Sequence, residues 1–340
     1  MFSSSLYSPA RILSKRMKSC PALRRGFVLA IFLCLLTIQF SFGWGSRAHK
    51  MINQIAFEML PPGLPAFMRD GKTLEEMEYL GPEPDRWRSS AEPELSEAQA
   101  PEHFIDLELA GIAAPGGLPV GRFEFIRDLE RARRKHPRLA EKLTPEKVGL
   151  LPWQANEMFE RLTVDMREYR FRLDTHRPTY GVQQAILYDA GILGHYVGDG
   201  SQPLHTTINY NGWVEKDNPE SFTREHHIHS QFETEFVDAN IRAEDIRPLV
   251  PATPRLLHSP FQDFVAYLRA SNEQVPELYR LAKDGGFEGS GTALSRRFTA
   301  ERIAAGAAML RDMIYTAWLD SAQPASSGRD RFAPHPDSLY

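Results

Sequence analysis

Histidine and carboxylate residues recur in this chain at spacings that metal ions favour. His195 and Asp199 lie four residues apart in a stretch rich in small residues, and His205 follows six residues later. His229 and Glu233 repeat the four-residue spacing. Residues four apart on a helix lie on the same face, so each pair can direct two ligand atoms at one ion. The chemistry that these residues predict is metal binding.

A further cluster precedes these pairs in the chain. His103 is followed three residues later by Asp106, and Asp85 lies upstream. Imidazole and carboxylate ligands without a thiolate are typical of zinc in a catalytic, water-accessible site, although iron or manganese would also accept them. One such pair on its own is more often an ordinary ion pair on a helix surface. The repetition of the pattern favours a metal centre.

The start of the chain offers a ligand of an unusual kind. Residues 1–26 carry six basic and no acidic residues, and residues 27–40 form a mostly apolar run. This pattern predicts a signal peptide, cleaved after Gly43, and a secreted or periplasmic mature protein, with an uncleaved membrane anchor as the alternative. Trp44 would then be the first residue, and its free amine and carbonyl could chelate a metal together with His49.

The bulk composition excludes some classes of protein. Both cysteines, Cys20 and Cys34, fall within residues 1–43, so the predicted mature chain forms no disulfides. Without the six basic residues of that segment, the chain has 34 basic and 44 acidic residues, a net charge of −10. A basic groove for polyanions is therefore not evident. If the substrate is a phosphate ester, bound metal ions must attract it.

Helical periodicity dominates the segments that must position these residues. The first predicted helix starts just after Trp44 and ends before residue 61. The others are Arg122–Lys135, 144–173 with Thr144 as its N-cap, 183–197 with an extension through Asp199 to Gln202, 226–240, 261–282 and 295–321. Long loops are predicted at 81–102, 206–222 and 246–259. The sequence thus predicts one all-α domain, residues 44–321, followed by a disordered tail, residues 322–340.

These motifs together resemble a known superfamily. The chain is similar to the zinc-dependent phospholipase C and single-strand-specific nuclease superfamily, which includes the fungal and plant nuclease/3′-nucleotidase enzymes. The similarity extends from Trp44 to about Ser321. Its most specific parts are Trp44-Gly45-x₃-His49, the block from His195 to His205, and His229-x₃-Glu233. The resemblance implies an all-α fold in which three Zn²⁺ ions lie at the bottom of a cleft.

The resemblance also implies which residues hold each ion. The first ion would be bound by Asp85, His103, His195 and Asp199. The second would be bound by the amine and carbonyl of Trp44 together with His49 and Asp199. The third would be bound by His205, His229 and Glu233. Asp199 would then bridge the first two ions, which could share a water and lower its pKa.

Three further residues have roles that the same resemblance implies. Arg88 lies three residues after Asp85, as in the nucleases, and would clamp a phosphate oxygen; the alternative is an exposed arginine in a polar loop. Asp106 would orient the nucleophile or a neighbouring group. Phe104 would offer a face for stacking a base, with packing in the core as the alternative.

The motifs divide between two classes of substrate. The Trp44-to-His49 spacing resembles the nucleases, whereas Glu233 stands where those enzymes have aspartate and resembles the phospholipases. The first hypothesis is an exported hydrolase, an endonuclease on single-stranded DNA or RNA that also acts on 3′-nucleotides. The alternatives are a phospholipase C acting on phospholipid headgroups and a non-catalytic zinc-binding protein. No protein partner is implied, and a monomer is expected.

Overall fold

The computed structural model describes residues 44–323, and these residues are organised as helices. Strands do not occur in this range, where the β pairing is an isolated bridge between Tyr210 and Gly212. The prediction of an all-α chain is confirmed for this range. The predicted signal peptide, residues 1–43, and residues 324–340 of the predicted tail lie outside it. None of the described helices is both long enough and apolar enough to span a membrane.

The helices within residues 44–323 are mostly joined by short connections, with one long segment between Thr206 and Ile228. In chain order the α-helices are α1 (Ser46–Glu58), α2 (Gly71–Leu80), α3 (Glu83–Arg86), α4 (Pro93–Gln99), α5 (Leu107–Ala113), α6 (Arg122–Lys135), α7 (Pro145–Val148), α8 (Leu151–Asp174), α9 (Tyr180–Ser201), α10 (Ile228–Ser230), α11 (Val237–Asn240), α12 (Ala243–Ile246), α13 (Pro260–Asn272), α14 (Val275–Lys283) and α15 (Ala293–Asp320). The 3₁₀ turns are Ala66–Arg69, Ala100–His103, Pro137–Leu139, Pro203–Thr206 and Arg247–Leu249. A π-helix, Gln231–Phe236, connects α10 to α11.

Five helices form the core that carries the site. α9 packs against α1, α2, α8 and α15, and its C-terminal half is entirely buried. A small residue allows this close packing, because a Cβ on Gly194 of α9 would lie 1.9 Å from Asn53 Oδ1 of α1. The amide of Asn53 donates hydrogen bonds to the carbonyl oxygens of Met77 in α2 and Gly191 in α9, both at 3.0 Å. Asn53 therefore links three helices at the centre of the fold.

The prediction of a single helix over 144–173 is wrong at its N-terminal end. Thr144 precedes only the single turn α7, and its side chain does not cap that turn. Gly149, with a φ of 87°, follows this turn, and the long helix α8 begins at Leu151. Glycine is required here because a Cβ would lie 2.0 Å from the carbonyl oxygen of Phe104. The break brings the Phe104 segment against the start of α8.

Prolines account for two further differences from the predicted helices. The stretch 81–102, predicted as a loop, contains α3 and α4, since Pro84 and Pro93 lie in their first turns, where proline starts a helix. The helix predicted at 261–282 is divided into α13 and α14, and the first turn of α14 contains Pro276. The other long predicted helices are confirmed, with ends that differ by a few residues.

The helix predicted at 226–240 has an irregular geometry. It begins at Ile228 and is a π-helix over Gln231–Phe236 before it returns to an α-helix. Such π-turns are rare and are frequently found at functional sites. Residues 207–222, which belong to a predicted loop, form no helix.

Candidate metal centre

Helix α9 supplies the central pair of the site. His195 and Asp199 lie one turn apart near its C-terminal end, and both are 0% exposed. The Nδ1–H of His195 donates a hydrogen bond to the carbonyl of Gly81 at 2.9 Å. The lone pair of Nε2 is therefore free to face Asp199 Oδ2, which lies 3.2 Å away. A metal-bound histidine usually has this kind of backbone partner on its other nitrogen.

Asp85 and His103 complete a first group of ligand atoms around this pair. His103 Nδ1 lies 3.0 Å from His195 Nε2 and 3.1 Å from Asp199 Oδ2. Asp85 Oδ1 lies 3.8 Å from His103 Nδ1 and 3.9 Å from His195 Nε2. Four atoms bound tetrahedrally to zinc at about 2.0–2.2 Å are about 3.4 Å apart, so these distances fit one ion.

A second group consists of His205, His229 and Glu233. His229 Nε2 lies 2.7 Å from Glu233 Oε2 and 3.2 Å from His205 Nε2. The Nδ1–H groups of the two histidines are used elsewhere, because they donate to the carbonyls of His103 at 2.7 Å and Tyr210 at 3.0 Å. In the neutral form of the two rings both Nε2 atoms are acceptors, and they face a carboxylate that is also an acceptor. Such a group is stabilised by a cation at its centre.

His49 approaches Asp199 from the opposite helix, α1. Its Nε2 atom lies 3.4 Å from Asp199 Oδ1, and its ring stacks on that of His195 with centroids 4.1 Å apart. Gly198 leaves the space for this ring, since a Cβ there would lie 2.9 Å from His49 Nδ1. Within residues 44–323 neither ring nitrogen of His49 has a hydrogen-bond partner. A metal on this side of Asp199 would satisfy a buried imidazole that is otherwise unpaired.

Trp44 is anchored in the core beside these groups. Its indole N–H donates to Ser201 Oγ at the end of α9, at 2.8 Å, and its ring lies 5.1 Å from that of Phe232. The backbone N–H of the next residue, Gly45, donates to the carbonyl of Glu233 at 3.2 Å. The backbone of Trp44 is therefore held between α9 and the π-helix. That its amine and carbonyl bind a metal stays a prediction.

The electrostatics of the site favour bound cations. Burial lowers the pKa of His49 to about 4 and that of His103 to about 3, so both rings are neutral, which is the form that binds metal. Burial also lowers the pKa of His205, but nearby carboxylates, Asp199 above all, raise it to about 9. Burial opposes ionisation of Asp199, yet the rings of His195 and His205 hold its pKa well below the ordinary value. The carboxylates thus create a field that stabilises positive charge.

Unpaired polar atoms concentrate at this site. Among residues 44–323, the buried ligand atoms without a hydrogen-bond partner are His49 Nδ1 and Nε2, Asp85 Oδ1, His103 Nε2, Asp199 Oδ1 and Glu233 Oε1. Buried polar atoms are rarely left unpaired, so such a concentration has a common cause. Three sets of side chains are close enough to hold metal ions: His49, Asp85 and His195; His103, His195 and Asp199; His205, His229 and Glu233. The residues present therefore fit metal ions.

Arg88 lies beside the first group of ligands. Its side chain is partly exposed, just beyond α3, which carries Asp85. Burial raises the pKa of Asp85 to about 6, and the positive charge of Arg88 is among the groups that oppose this rise. The same charge contributes to the low pKa of His103, after burial and the ring of His195. The positive charge of Arg88 therefore acts on the electrostatics of the first group.

Asp106 and Phe104 adjoin the ligands without belonging to any of the three sets. Asp106 is buried, and burial together with the charge of Glu108 raises its pKa to about 7. Phe104 is partly exposed and is not packed into the apolar core, in contrast to the core interpretation. Its ring is held by Gly149, whose Cβ, if present, would lie 2.9 Å from Phe104 Cδ2.

Two neighbours of the ligands were not among the predicted site residues. Gln202 ends α9 and connects it to the second group, since its amide donates to Glu233 Oε2 at 3.0 Å while its oxygen accepts from the N–H of Leu204 at 2.7 Å. Tyr210 is 53% exposed, and its ring meets that of His229 edge-on at 6.0 Å. The sequence signal that could have identified Gln202 as a site residue is its position as a polar residue at the end of a buried apolar helix.

Comparison with known proteins adds no family assignment. The chain matches no protein-family model, and a search of curated proteins finds no match.

Proposed function

We propose that the protein is an exported phosphodiesterase that uses three Zn²⁺ ions to cleave single-stranded DNA or RNA, with removal of 3′-phosphates as a second activity. The observation that carries this proposal is the convergence of buried ligands on Asp199. Its Oδ2 atom lies 3.1 Å from His103 and 3.2 Å from His195, and its Oδ1 atom lies 3.4 Å from His49. A carboxylate with imidazoles on both oxygens is suited to bridge two ions.

The proposed ligand sets are those that the resemblance implies, and the groups of close ligand atoms support them. One ion would be held by Asp85, His103, His195 and Asp199. The next would be held by Trp44, His49 and Asp199. The last would be held by His205, His229 and Glu233. Zinc ions bound there would make hydroxide available near neutral pH and would neutralise charge on a phosphate ester, which matters in a mature chain with a net charge of −10.

The protein's own residues position the substrate. The Arg88 guanidinium binds a non-bridging phosphate oxygen through charge-assisted hydrogen bonds and stabilises negative charge that develops there. The Asp106 carboxyl, whose pKa burial raises to about 7, is suited to hold or accept a proton near neutral pH and so to orient the attacking water. The partly exposed ring of Phe104, next to His103, provides a face for a nucleobase.

Two of these features favour a nucleic acid over a phospholipid. Arg88 places a positive charge near the first ligand group, which would repel a cationic choline headgroup. Phe104 is partly exposed and does not belong to the apolar core cluster, so part of its surface is available for stacking. Glu233 is the residue that favours the phospholipase alternative.

The proposal is tested with purified protein that begins at Trp44. Cleavage of single-stranded DNA is measured beside hydrolysis of phosphatidylcholine, before and after chelation and after return of zinc. Asp199→Asn serves as the inactive variant, and Asp174→Asn, the same change at the exposed end of α8, serves as the matched control. We expect the wild type to cleave DNA, chelation to abolish this cleavage, and zinc to restore it. The control variant should cleave DNA like the wild type, and Asp199→Asn should not cleave it.

Each remaining outcome identifies a different function. Hydrolysis of the lipid without cleavage of DNA would refute the nuclease and support a phospholipase C. Tightly bound zinc with no activity on either ester would support a non-catalytic zinc-binding protein. N-terminal sequencing of the exported protein tests the remaining part of the proposal, because a mature chain that starts anywhere but Trp44 would remove the amine from the ligand set.

A further inference from the structure

Helix α6 presents an aromatic ring and a row of arginines to solvent. Phe123 is 73% exposed, and Arg127, Arg131 and Arg134 are exposed at intervals of three or four residues, which places all four on one face. Arg138, exposed in the 3₁₀ turn that follows, adds a further basic side chain beyond the end of the helix. The helix has six basic and three acidic residues, in a chain whose predicted mature form is acidic. We call Phe123, Arg127, Arg131, Arg134 and Arg138 the α6 stripe.

Interactions within the protein account for only part of this charge. Arg131 forms an ion pair with Asp128 on the same helix. Arg127, Arg134 and Arg138 form no ion pair with any of the residues that the structure describes. The helix dipole favours basic residues in the last turn, which explains Arg134 but neither Arg127 nor an exposed aromatic ring in the first turn.

The start of α6 is fixed next to the metal centre. The Arg122 guanidinium lies 3.3 Å from Glu102 Oε1 and donates to Gln154 Oε1 at 2.9 Å. Glu102 directly precedes His103, a ligand of the first group. Phe125 stacks on Trp153 of α8 with ring centroids 4.3 Å apart, which holds the helix against the core. The stripe therefore begins beside the site and follows a helix of 14 residues, which is about 21 Å long.

We propose that the α6 stripe binds the phosphate backbone of a single-stranded nucleic acid outside the metal centre. The inference rests on the proposed function, because it concerns the strand whose phosphodiester lies at the zinc ions. Arginines one helical turn apart are about 6 Å apart along the axis, and each guanidinium can bind a phosphate through two parallel hydrogen bonds. Phe123, at the end nearest the site, stacks on a base of the same strand.

An anionic membrane is the competing partner for a basic helix, and the stripe fits it less well. A helix that lies in a bilayer surface buries a broad apolar face with several large side chains. The exposed apolar side chains at this end of α6 are Phe123 and Val120, the latter 56% exposed. The inward face is already used, since Phe125 and Leu129 are buried in the protein core. Arginine, which dominates the stripe, is also the residue that recognises phosphate with defined geometry.

The size of the effect follows from counterion release. The affinity for a single strand falls with salt with a slope of about −0.7 per phosphate contact, which is about fivefold per contact at 0.1 M salt. Removal of three arginines therefore weakens binding about 100-fold at 0.1 M salt. It also reduces the salt slope by about 2.

The test compares two triple variants with the same change in charge. Arg127→Gln, Arg134→Gln and Arg138→Gln remove the stripe, whereas Lys72→Gln, Arg177→Gln and Arg269→Gln remove exposed charges elsewhere. Zinc-loaded protein is titrated into a fluorescent 20-nucleotide phosphorothioate oligo-dT, and anisotropy is recorded over a series of salt concentrations. We expect the loss of affinity and slope only in the stripe variant. Its kcat on a dinucleotide should equal that of the wild type, while its KM for long strands rises.

Three results separate the inference from the proposed function. Equal affinity and equal salt slope in both variants would overturn the α6 stripe as a binding site. Loss of binding to phosphatidylglycerol vesicles with unchanged affinity for the oligonucleotide would overturn it in favour of a membrane. If the wild type binds the strand through the stripe and cleaves no nucleic acid, the proposed function fails while the binding site stands.

Discussion

Replacement of Asp199 by asparagine tests the proposed bridge between two ions. The two side chains have nearly the same shape, so the change removes one negative charge from a position that is 0% exposed. In the proposed ligand sets the first two ions would both depend on this carboxylate, whereas His205, His229 and Glu233 would hold the last ion without it. We therefore expect Asp199→Asn to lose about two zinc ions per chain and His229→Ala to lose about one.

The stability of the variant follows from the affinity that it loses. Loss of a residue that merely orients a ligand weakens metal binding about 10- to 100-fold, so loss of the ligand charge itself weakens it at least about 100-fold. Each 100-fold corresponds to about 2.7 kcal/mol of stability when zinc binds only the folded state. Two ions give about 5 kcal/mol, which is a decrease in Tm of about 10–20 °C at about 2–4 °C per kcal/mol for a domain of this size.

The measurements are metal content by mass spectrometry after gel filtration and Tm by calorimetry, with and without chelator. In chelator the Tm of wild type and Asp199→Asn should differ little, since the lost stability is that of bound zinc. A variant that loses no more zinc than His229→Ala would refute the bridging role. A variant whose Tm falls equally in chelator would show that Asp199 stabilises the fold without metal.

Three further predictions concern the fold that positions the site. Gly149→Ala should destabilise the protein by at least about 3 kcal/mol in urea unfolding, because its Cβ would lie 2.0 Å from Phe104 O at a φ of 87°. The control is Gly181→Ala, whose Cβ would have no atom within 4 Å and which should change stability by less than about 0.5 kcal/mol. Asn53→Ala should cost about 2–4 kcal/mol by the same measurement, since it removes both buried hydrogen bonds of the Asn53 amide and empties the space that this side chain fills. Asn156→Ala, at a partly exposed position of α8, is the control. Burial and the neighbouring Asp165 raise the pKa of Asp189 to about 7. The native state therefore holds a proton that the unfolded chain releases near pH 4, and the free energy of unfolding falls as the pH rises between these two values. Asp189→Asn should remove this pH dependence and increase the free energy of unfolding at pH 8 by on the order of 1 kcal/mol after allowance for solvent screening. If the free energy of unfolding still differed between pH 4.5 and pH 8 as in the wild type, the prediction would be wrong.

The apolar periodicity of the sequence predicted most of the long helices, because the residues that each helix buries recur at helical spacing in its own sequence. Arg122–Lys135 has the predicted bounds. The errors arose where a boundary depends on a distant segment. The break at Gly149 exists to accommodate the backbone of Phe104, and nothing within 144–173 reveals that contact. The loop predicted at 81–102 is, by contrast, wrong for a local reason, because Pro84 and Pro93 lie in the first turns of helices.

The site was predictable in its local parts and less so in its assembly. The four-residue spacing of His195 and Asp199 sufficed to place both on one face of a helix. That His49 stacks on His195 depends on the crossing of α1 and α9, which the spacing alone does not specify. The contribution of Gln202 was missed for the same reason, since its partner Glu233 is 31 residues away.

The ligands are recruited from across the chain, and this has a consequence for how the protein matures. Asp199 meets His103 across 96 residues, and the indole of Trp44 meets Ser201 across 157. Contacts of such long range form late, because the loops between them must close first. A chain that has emerged only as far as α9 contains Asp85, His103, His195 and Asp199 but lacks His229 and Glu233, so the second group cannot yet form. Full occupancy of the three proposed metal sites would therefore come only at the end of folding.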